Sequence, residues 1–261
     1  MTAPEYVAAR HVLLDALEAL HTHLDSLILV GAQAVYLHAG EGTLNVPPMT
    51  TDADLALNTQ HLAASPEIAQ TLTEAGFSPS TNPGHWLGAL DVALDIMVVP
   101  HQAGTTSKTA RAARIPPHAK NVGRIAPGLE PALVDNTIHP IVAFDDADPR
   151  AFRLRVANPA ALLVAKAIKI SERQHDARRQ PDRLIAKDAL DMFRLLQTID
   201  TEVIVAGLQL HQTEPRTARV STQGVEFLQT EGTTPDGLLP RLATQAESEF
   251  GHATGKPERS C

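Results

Sequence analysis

Two aspartates that lie two positions apart are the residues of this chain best suited to hold a metal ion. Asp52 and Asp54 occur in a stretch from Thr50 to Leu57 that otherwise alternates like a β-strand. A strand points residues i and i+2 to the same face, so the two carboxylates are predicted to lie side by side. Their mutual repulsion would be relieved by a divalent cation such as Mg²⁺, which prefers carboxylate oxygens. A solvated turn or a helix N-cap is the alternative interpretation.

A third carboxylate follows on a second predicted strand. Asp95 interrupts the most apolar part of a β-like run from Leu90 to Val99. A charge at such a position is costly unless it is paired or bound to metal. The alternative is a sheet edge with the carboxylate in water. Asp91 is the weaker candidate because it lies nearer to the start of the strand.

A candidate anion-binding element precedes the aspartates. The apolar run from Leu27 to Val30 predicts a buried strand, and Gly31-Ala32 opens a predicted helix directly after it. Glycine at such a junction lets the backbone approach a ligand closely, and a helix N-terminus favours an anion. An anionic ligand is therefore expected at Gly31.

The composition limits the class of protein. The chain has 261 residues, enough for one large domain or two small ones, and 43% of them are hydrophobic. We find neither an apolar run of about 18 residues nor a basic N-terminal region, so we expect a cytoplasmic protein without a membrane span or a secretory signal. Cys261 is the single cysteine, which excludes a disulfide framework and a cysteine-ligated zinc.

The net charge of −8 is unevenly distributed. Residues 1–100 hold one basic residue against eleven acidic ones, and residues 101–194 hold sixteen basic against ten acidic. The span 96–129 has no acidic residue and contains Lys108, Arg111, Arg114, Lys120 and Arg124. This pattern predicts a cation-binding part followed by a phosphate-binding part. Chance scatter over solvated faces is the alternative.

Periodicity predicts the remaining elements. Helices are expected over 4–22, 60–75, 160–172 and 184–196, with two more in 200–250, and strands over 134–144 and 152–156. Asn158-Pro159 is typical of a helix start. Lys166 lies among the apolar residues of the helix that follows, where snorkelling from a half-buried face is the alternative to a functional role. The tail from Gly251 is predicted to be disordered.

Taken in order, these motifs resemble the nucleotidyltransferase (polymerase-beta-like) superfamily. The resemblance consists of Gly31-Ala32 at a helix start, Asp52-x-Asp54 on the next strand and Asp95 on a later one. In the second half, the segment 158–166 with Arg183 and Lys187-Asp188-Ala189-Leu190-Asp191 is similar to the AbiEii group. Many members of that group are toxins of bacterial toxin–antitoxin pairs, and some transfer nucleotides to the 3′ end of tRNA.

The resemblance implies a fold, a reaction and a set of roles. The fold would be α/β (α+β), with a mixed sheet and flanking helices in 1–156, a helical domain completing the active site in 157–250, and a tail over 251–261. The reaction would be two-metal nucleotidyl transfer from an NTP. Asp95 would complete the shell of one ion, and Asp188 would orient Lys166 or bind the base or ribose. The implied catalytic residues are Asp52, Asp54, Asp95, Lys166 and Asp188; the Mg²⁺ ligands are Asp52, Asp54 and Asp95; the triphosphate contacts are Gly31, Ala32 and Lys166.

Two departures from the superfamily pattern keep alternatives open. Ala32 stands where the superfamily often has serine, and Pro48 stands where it often has arginine. A catalytically decayed nucleotide- or RNA-binding module is therefore one alternative, and transfer to a small molecule of the aminoglycoside type is another. The basic span favours an RNA acceptor such as tRNA, while the aromatic content of 3% argues against base stacking. A cognate antitoxin is the expected protein partner.

A metal-dependent hydrolase is disfavoured. No histidine pair has the spacing of metal ligands, since His21 and His23 would point to different faces of a helix.

Overall fold

The computed structural model describes residues 3–40, 50–107, 109–177 and 186–251. Four features of the sequence prediction lie outside these ranges: Pro48, Lys108, Arg183 and the tail beyond Gly251. The expected loop over 40–48 is described only at Gly40.

A mixed β-sheet forms the centre of the molecule. Its strands are β1 (Leu27–Val30), β2 (Asp52–Leu57), β3 (Ser78–Pro79), β4 (His85–Leu87), β5 (Ala93–Val98), β6 (Arg124–Ile125), β7 (Asn136–Val142) and β8 (Ala151–Ala157). The strand order is β3-β4-β5-β2-β1-β8-β7, and β6 pairs with β5 beside this path. The pairs β1/β8, β2/β5 and β5/β6 are parallel, and the others are antiparallel. The predicted α/β class with a mixed sheet is confirmed.

Helices flank this sheet. They are α1 (Pro4–Ala19), α2 (Gly31–Ala39), α3 (Ile68–Glu74), α4 (Pro159–Ala177), α5 (Ala186–Thr198), α6 (Thr201–His211), α7 (Pro215–Gly232) and α8 (Leu238–Gly251). In the part of the chain that the structure describes, none of the helices has the length and apolarity needed to cross a membrane.

One hydrophobic core connects the sheet to the C-terminal helices. Strand β1 is buried along its whole length because it lies inside the sheet between β2 and β8. Helix α1 packs on β2 and β5, and α2 packs on α4 and α5. The same cluster of buried side chains includes Leu29 and Leu55 from the sheet and Leu163 and Leu195 from the helices. The two predicted domains thus share their packing, and a boundary at 156/157 stays a prediction.

Three predicted elements differ from the structure. The helix expected over 60–75 begins only at Ile68, because Pro66 disfavours helical backbone before it and the Glu67 carboxylate accepts the Gln70 N–H as a cap. The strand expected from Leu90 begins at Ala93, after a turn with positive φ. The C-terminal region has three helices instead of two, since Pro215 starts a new helix after α6.

Candidate active site

Three carboxylates lie on one face of the sheet. Asp52 and Asp54 are half-buried and alternate with the buried Ala53 and Leu55, as the strand prediction requires. The parallel pairing of β2 with β5 sets Asp54 directly opposite Asp95. Cross-strand partners point to the same side of a sheet, so Asp95 joins the two aspartates of β2. Asp91, the weaker candidate, lies in the exposed turn before β5.

The junction of β1 and α2 brings backbone against Asp54. Gly31 has a φ of +68°, a conformation that favours glycine, and a Cβ at this position would overlap with Asp54 Oδ2. The backbone at Gly31 therefore lies against the Asp54 carboxylate, and the anionic ligand expected at this helix start stays a prediction. Ala32 instead turns its methyl group into the hydrophobic core.

The Asp54 carboxylate is poorly compensated. Burial raises the pKa of Asp54 to about 7, and the negative charge of Asp52 contributes further. Lys169 and Arg124 offset this only in part. Within the described residues no hydrogen bond is donated to Asp54. A cation bound at this carboxylate would remove the repulsion and stabilise the ionised form.

Asp52 and Asp54 fit a Mg²⁺ ion that arrives with a phosphate ligand. Asp52 Oδ1 accepts a hydrogen bond of 2.6 Å from the Thr50 hydroxyl, which leaves its second oxygen for another partner. Across the described ranges, no three His, Cys, Asp or Glu side chains converge into a metal site. Mg²⁺ is commonly bound by one or two carboxylates together with water and substrate phosphates, and this pair matches that pattern.

Asp95 is engaged by two basic side chains. His85 Nδ1 donates to Asp95 Oδ1 over 2.6 Å, and Arg124 Nη2 donates to Asp95 Oδ2 over 3.1 Å. With both oxygens occupied, the carboxylate serves as an anchor for Arg124. This geometry does not favour the predicted role of Asp95 as a metal ligand, and that role stays a prediction.

Lys166 is buried between two carboxylates that come from α5. Its Nζ lies 3.0 Å from Asp188 Oδ1 and 2.7 Å from Asp191 Oδ2. Burial lowers the pKa of Lys166, but the two carboxylates more than reverse this and hold the pKa above its ordinary value. Lys166 is thus charged and already neutralised, with 5% of its surface exposed, which is not the arrangement of a snorkelling lysine.

Two further cations on α4 meet the same aspartate. Lys169 Nζ lies 2.9 Å from Asp188 Oδ2, and Arg173 Nη1 lies 3.4 Å from it. Burial raises the pKa of Asp188, but Lys166 and Lys169 outweigh it and hold the pKa well below its usual range. Lys169 and Arg173 are not among the predicted site residues. Their spacing from Lys166, i+3 and i+7, puts all three on one helix face and was the available signal.

The carboxylates and the cations meet at one cavity of about 220 Å³. Gly31 and Asp54, which we call the acidic wall, line it together with a basic wall made of Arg124, Lys166, Lys169 and Arg173. The acidic residues Glu172 and Asp188 also line it, beside these cations. The described residues that line the cavity do not include Asp52, Asp95 or Ala32, which lie beside it. An acidic wall facing a basic wall suits a ligand that carries both a divalent cation and phosphate groups.

The predicted basic span is divided in the structure. Arg124 reaches the cavity, and Arg111 lies in an adjoining pocket. Arg114 lines a further surface pocket that shares Pro100, Thr105 and Thr106 with the adjoining one, and Lys120 is exposed. Of the described basic residues of the span, Arg124 alone lines the cavity itself.

Comparison with known proteins does not assign the chain to a family. No model of a known protein family matches it. No curated protein matches it either. The interpretation of the cavity rests on the order of the motifs and on the geometry described above.

Proposed function

We propose that this protein is a Mg²⁺-dependent nucleotidyltransferase with the polymerase-beta-like fold, and that it transfers a nucleotide from an NTP to an RNA acceptor such as the 3′ end of tRNA. The observation that carries this proposal is the single cavity in which Asp54 and Gly31 face Lys166, Lys169 and Arg173. A metal-bound triphosphate has the matching pair of charges.

The acidic wall supplies the metal-binding groups. Asp52 and Asp54 would hold Mg²⁺, which when bound supplies Lewis-acid stabilisation of phosphate oxygens. Because the pKa of Asp54 is raised to about 7, a proton must leave this carboxylate before it can act as a ligand near neutral pH. No nucleophilic side chain is needed, since positioning and charge neutralisation carry most phosphoryl-transfer catalysis.

The basic wall would hold the triphosphate. Lys169 is the accessible cation, because 44% of its side chain is exposed, whereas Lys166 is buried in its ion pairs. Lys169 and Arg173 are thus the better direct phosphate contacts, and Asp188 orients them together with Lys166. Of the two roles expected for Asp188, orientation of the lysine is the one that its contacts support.

The choice of acceptor rests on charge. The protein carries a net charge of −8, so affinity for RNA must come from a local group of cations such as Arg124 and Arg111. The toxin role and the cognate antitoxin stay predictions from the resemblance.

Calorimetric titration of each NTP with and without Mg²⁺ tests the proposal. We expect binding that needs Mg²⁺, a loss of at least about tenfold in affinity in Asp54→Asn, and a loss of about five- to tenfold in Lys169→Met. The exposed Lys120→Met is the matched control and should bind like the wild type. Affinity that is independent of Mg²⁺, or unchanged in Asp54→Asn, would contradict the proposal.

A further inference from the structure

A second pocket adjoins the candidate active site. Its volume is about 370 Å³, within the range of about 300–1,000 Å³ typical of ligand sites. It lies between residues 105–107 and 110–111, the turn before β4 and strand β6, and its charged lining residues are Arg111 and Arg124. Among the described residues that line it, none is acidic and none is aromatic. Arg124, Ile125 and Pro127 also line the active-site cavity, so the two spaces adjoin at β6 and the residues directly after it.

The two arginines differ in how far their guanidinium groups are engaged. Arg124 Nη2 is bound to Asp95 and lies 3.0 Å from Met97 Sδ, whereas its buried Nε has no hydrogen-bond partner in the described part of the chain. Arg111 is exposed and forms no ion pair with any described residue. A guanidinium with free N–H groups matches the geometry of a phosphate, which it can bind through two parallel hydrogen bonds.

Backbone contacts fix the positions of the two arginines. The N–H of Ile125 donates to the carbonyl of Arg111 over 2.8 Å, and Ala112 pairs with Arg124 in an antiparallel bridge. Gly84 has a φ of +71°, and a Cβ there would clash with the backbone of Arg124. The turn before β4 is therefore pressed against β6. The pocket is formed by packed backbone and needs no ligand to organise it.

We infer that this pocket binds a backbone phosphate of the acceptor strand, close to its 3′ end. The inference rests on the proposed function, because an acceptor hydroxyl must approach the NTP from beside the nucleotide cavity. Arg124 lines both spaces and therefore lies on that side of the nucleotide cavity. Arg111 adds a second positive charge farther from the cavity. Since the described lining holds no aromatic ring for base stacking, the pocket would recognise the strand through its phosphates and tolerate any base.

Single-stranded RNA octanucleotides that carry one neutral methylphosphonate linkage at successive positions provide the test. Their affinity is measured by fluorescence anisotropy without NTP, for the wild type and for Arg111→Gln. We expect the neutral linkage at one or two positions near the 3′ end to weaken wild-type binding about five- to tenfold, and Arg111→Gln to respond less than about twofold at the same positions. The log–log salt slope of Arg111→Gln should be flatter by about 0.7.

The control variant is Arg114→Gln, which changes an exposed arginine that lines a neighbouring pocket but not this one. It should keep the wild-type response to the neutral linkage. An equal response in the wild type and Arg111→Gln, an equal loss in Arg114→Gln, or an absence of RNA binding would each overturn the inference. If pyrophosphate alone lowers the RNA affinity of the wild type but not that of Arg111→Gln, the inference is also overturned, because the pocket then binds the leaving group. The proposed function can fail separately. In that case RNA binds through Arg111, but NTP binding does not depend on Mg²⁺.

Discussion

Asp54 combines the two properties on which the proposed chemistry depends, a buried position and a like-charged neighbour. Burial raises the pKa of Asp54 to about 7, against an ordinary value of 3.8 for an aspartate. The folded protein therefore keeps a proton between about pH 4 and pH 7 that the unfolded chain has released. Its stability falls as the pH rises through this window, and the loss is complete above about pH 7.

The variant Asp54→Asn should remove this dependence. At pH 3 the aspartate is largely neutral in both states, so the variant and the wild type should unfold alike. At pH 8 the metal-free variant should be more stable by about 1–3 kcal/mol, a value reduced from the full linkage energy because the carboxylate retains some solvent contact. Urea unfolding at both pH values measures this difference. A variant that is less stable than the wild type at pH 8 would show that the charge of Asp54 is compensated.

Lys166 and Lys169 separate stability from ligand binding. Lys166→Met leaves Asp191, which is 1% exposed, without its cation, so we expect a loss of about 3–5 kcal/mol. Lys169→Met changes a half-exposed side chain and should cost less than about 1 kcal/mol, although it weakens NTP binding. Thermal unfolding of both variants and NTP titration of Lys169→Met test whether Lys166 acts on stability and Lys169 on ligand binding. Equal destabilisation by the two substitutions would contradict this division.

At the scale of elements, the junction of β1 and α2 offers a controlled test. Gly31 and Gly40 both have positive φ, but a Cβ at Gly40 would meet no described atom within 4 Å, whereas one at Gly31 would overlap with Asp54. Gly40→Ala should cost about 1–2 kcal/mol from backbone strain alone. Gly31→Ala should cost more and should also lower Mg²⁺-dependent NTP affinity. Unfolding and NTP titration of both variants measure these effects. Equal changes in NTP affinity in the two variants would show that Gly31 is not part of the site.

The elements also show what the sequence could and could not predict. Strands β1 and β2 and the start of α2 were predictable, because a buried apolar run, a glycine and a strict alternation mark them. His85 and Arg124, which hold Asp95, come from strands of three and two residues, too short for any periodicity to reveal. The register that sets Asp54 opposite Asp95 is a tertiary property, so the partners of Asp95 could not be derived from its spacing.

At the scale of the whole molecule, the site is assembled from distant parts of the chain. The acidic wall comes from the N-terminal, acid-rich third, and the basic wall comes from β6 and α4, the latter about 110 residues after Asp54 in the sequence. The charge asymmetry predicted an acidic part and a basic part, and residues of both parts line the cavity, while cation binding and phosphate binding stay predictions. It did not predict that Lys166 is neutralised by Asp188 and Asp191, since charge counts carry no information on which groups pair.

A comparison of α- and γ-labelled NTPs shows whether the cavity transfers the nucleotidyl group of an NTP, because the two labels report different reactions. The wild type is incubated with Mg²⁺, total RNA and each NTP labelled at one position, beside Asp54→Asn. We predict that α-label enters RNA, that γ-label does not, and that the variant transfers neither. Transfer of γ-label would indicate a phosphoryl transfer. Absence of α-label from all RNA with the wild type, or equal transfer by Asp54→Asn, would contradict the proposed reaction and the role of Asp54.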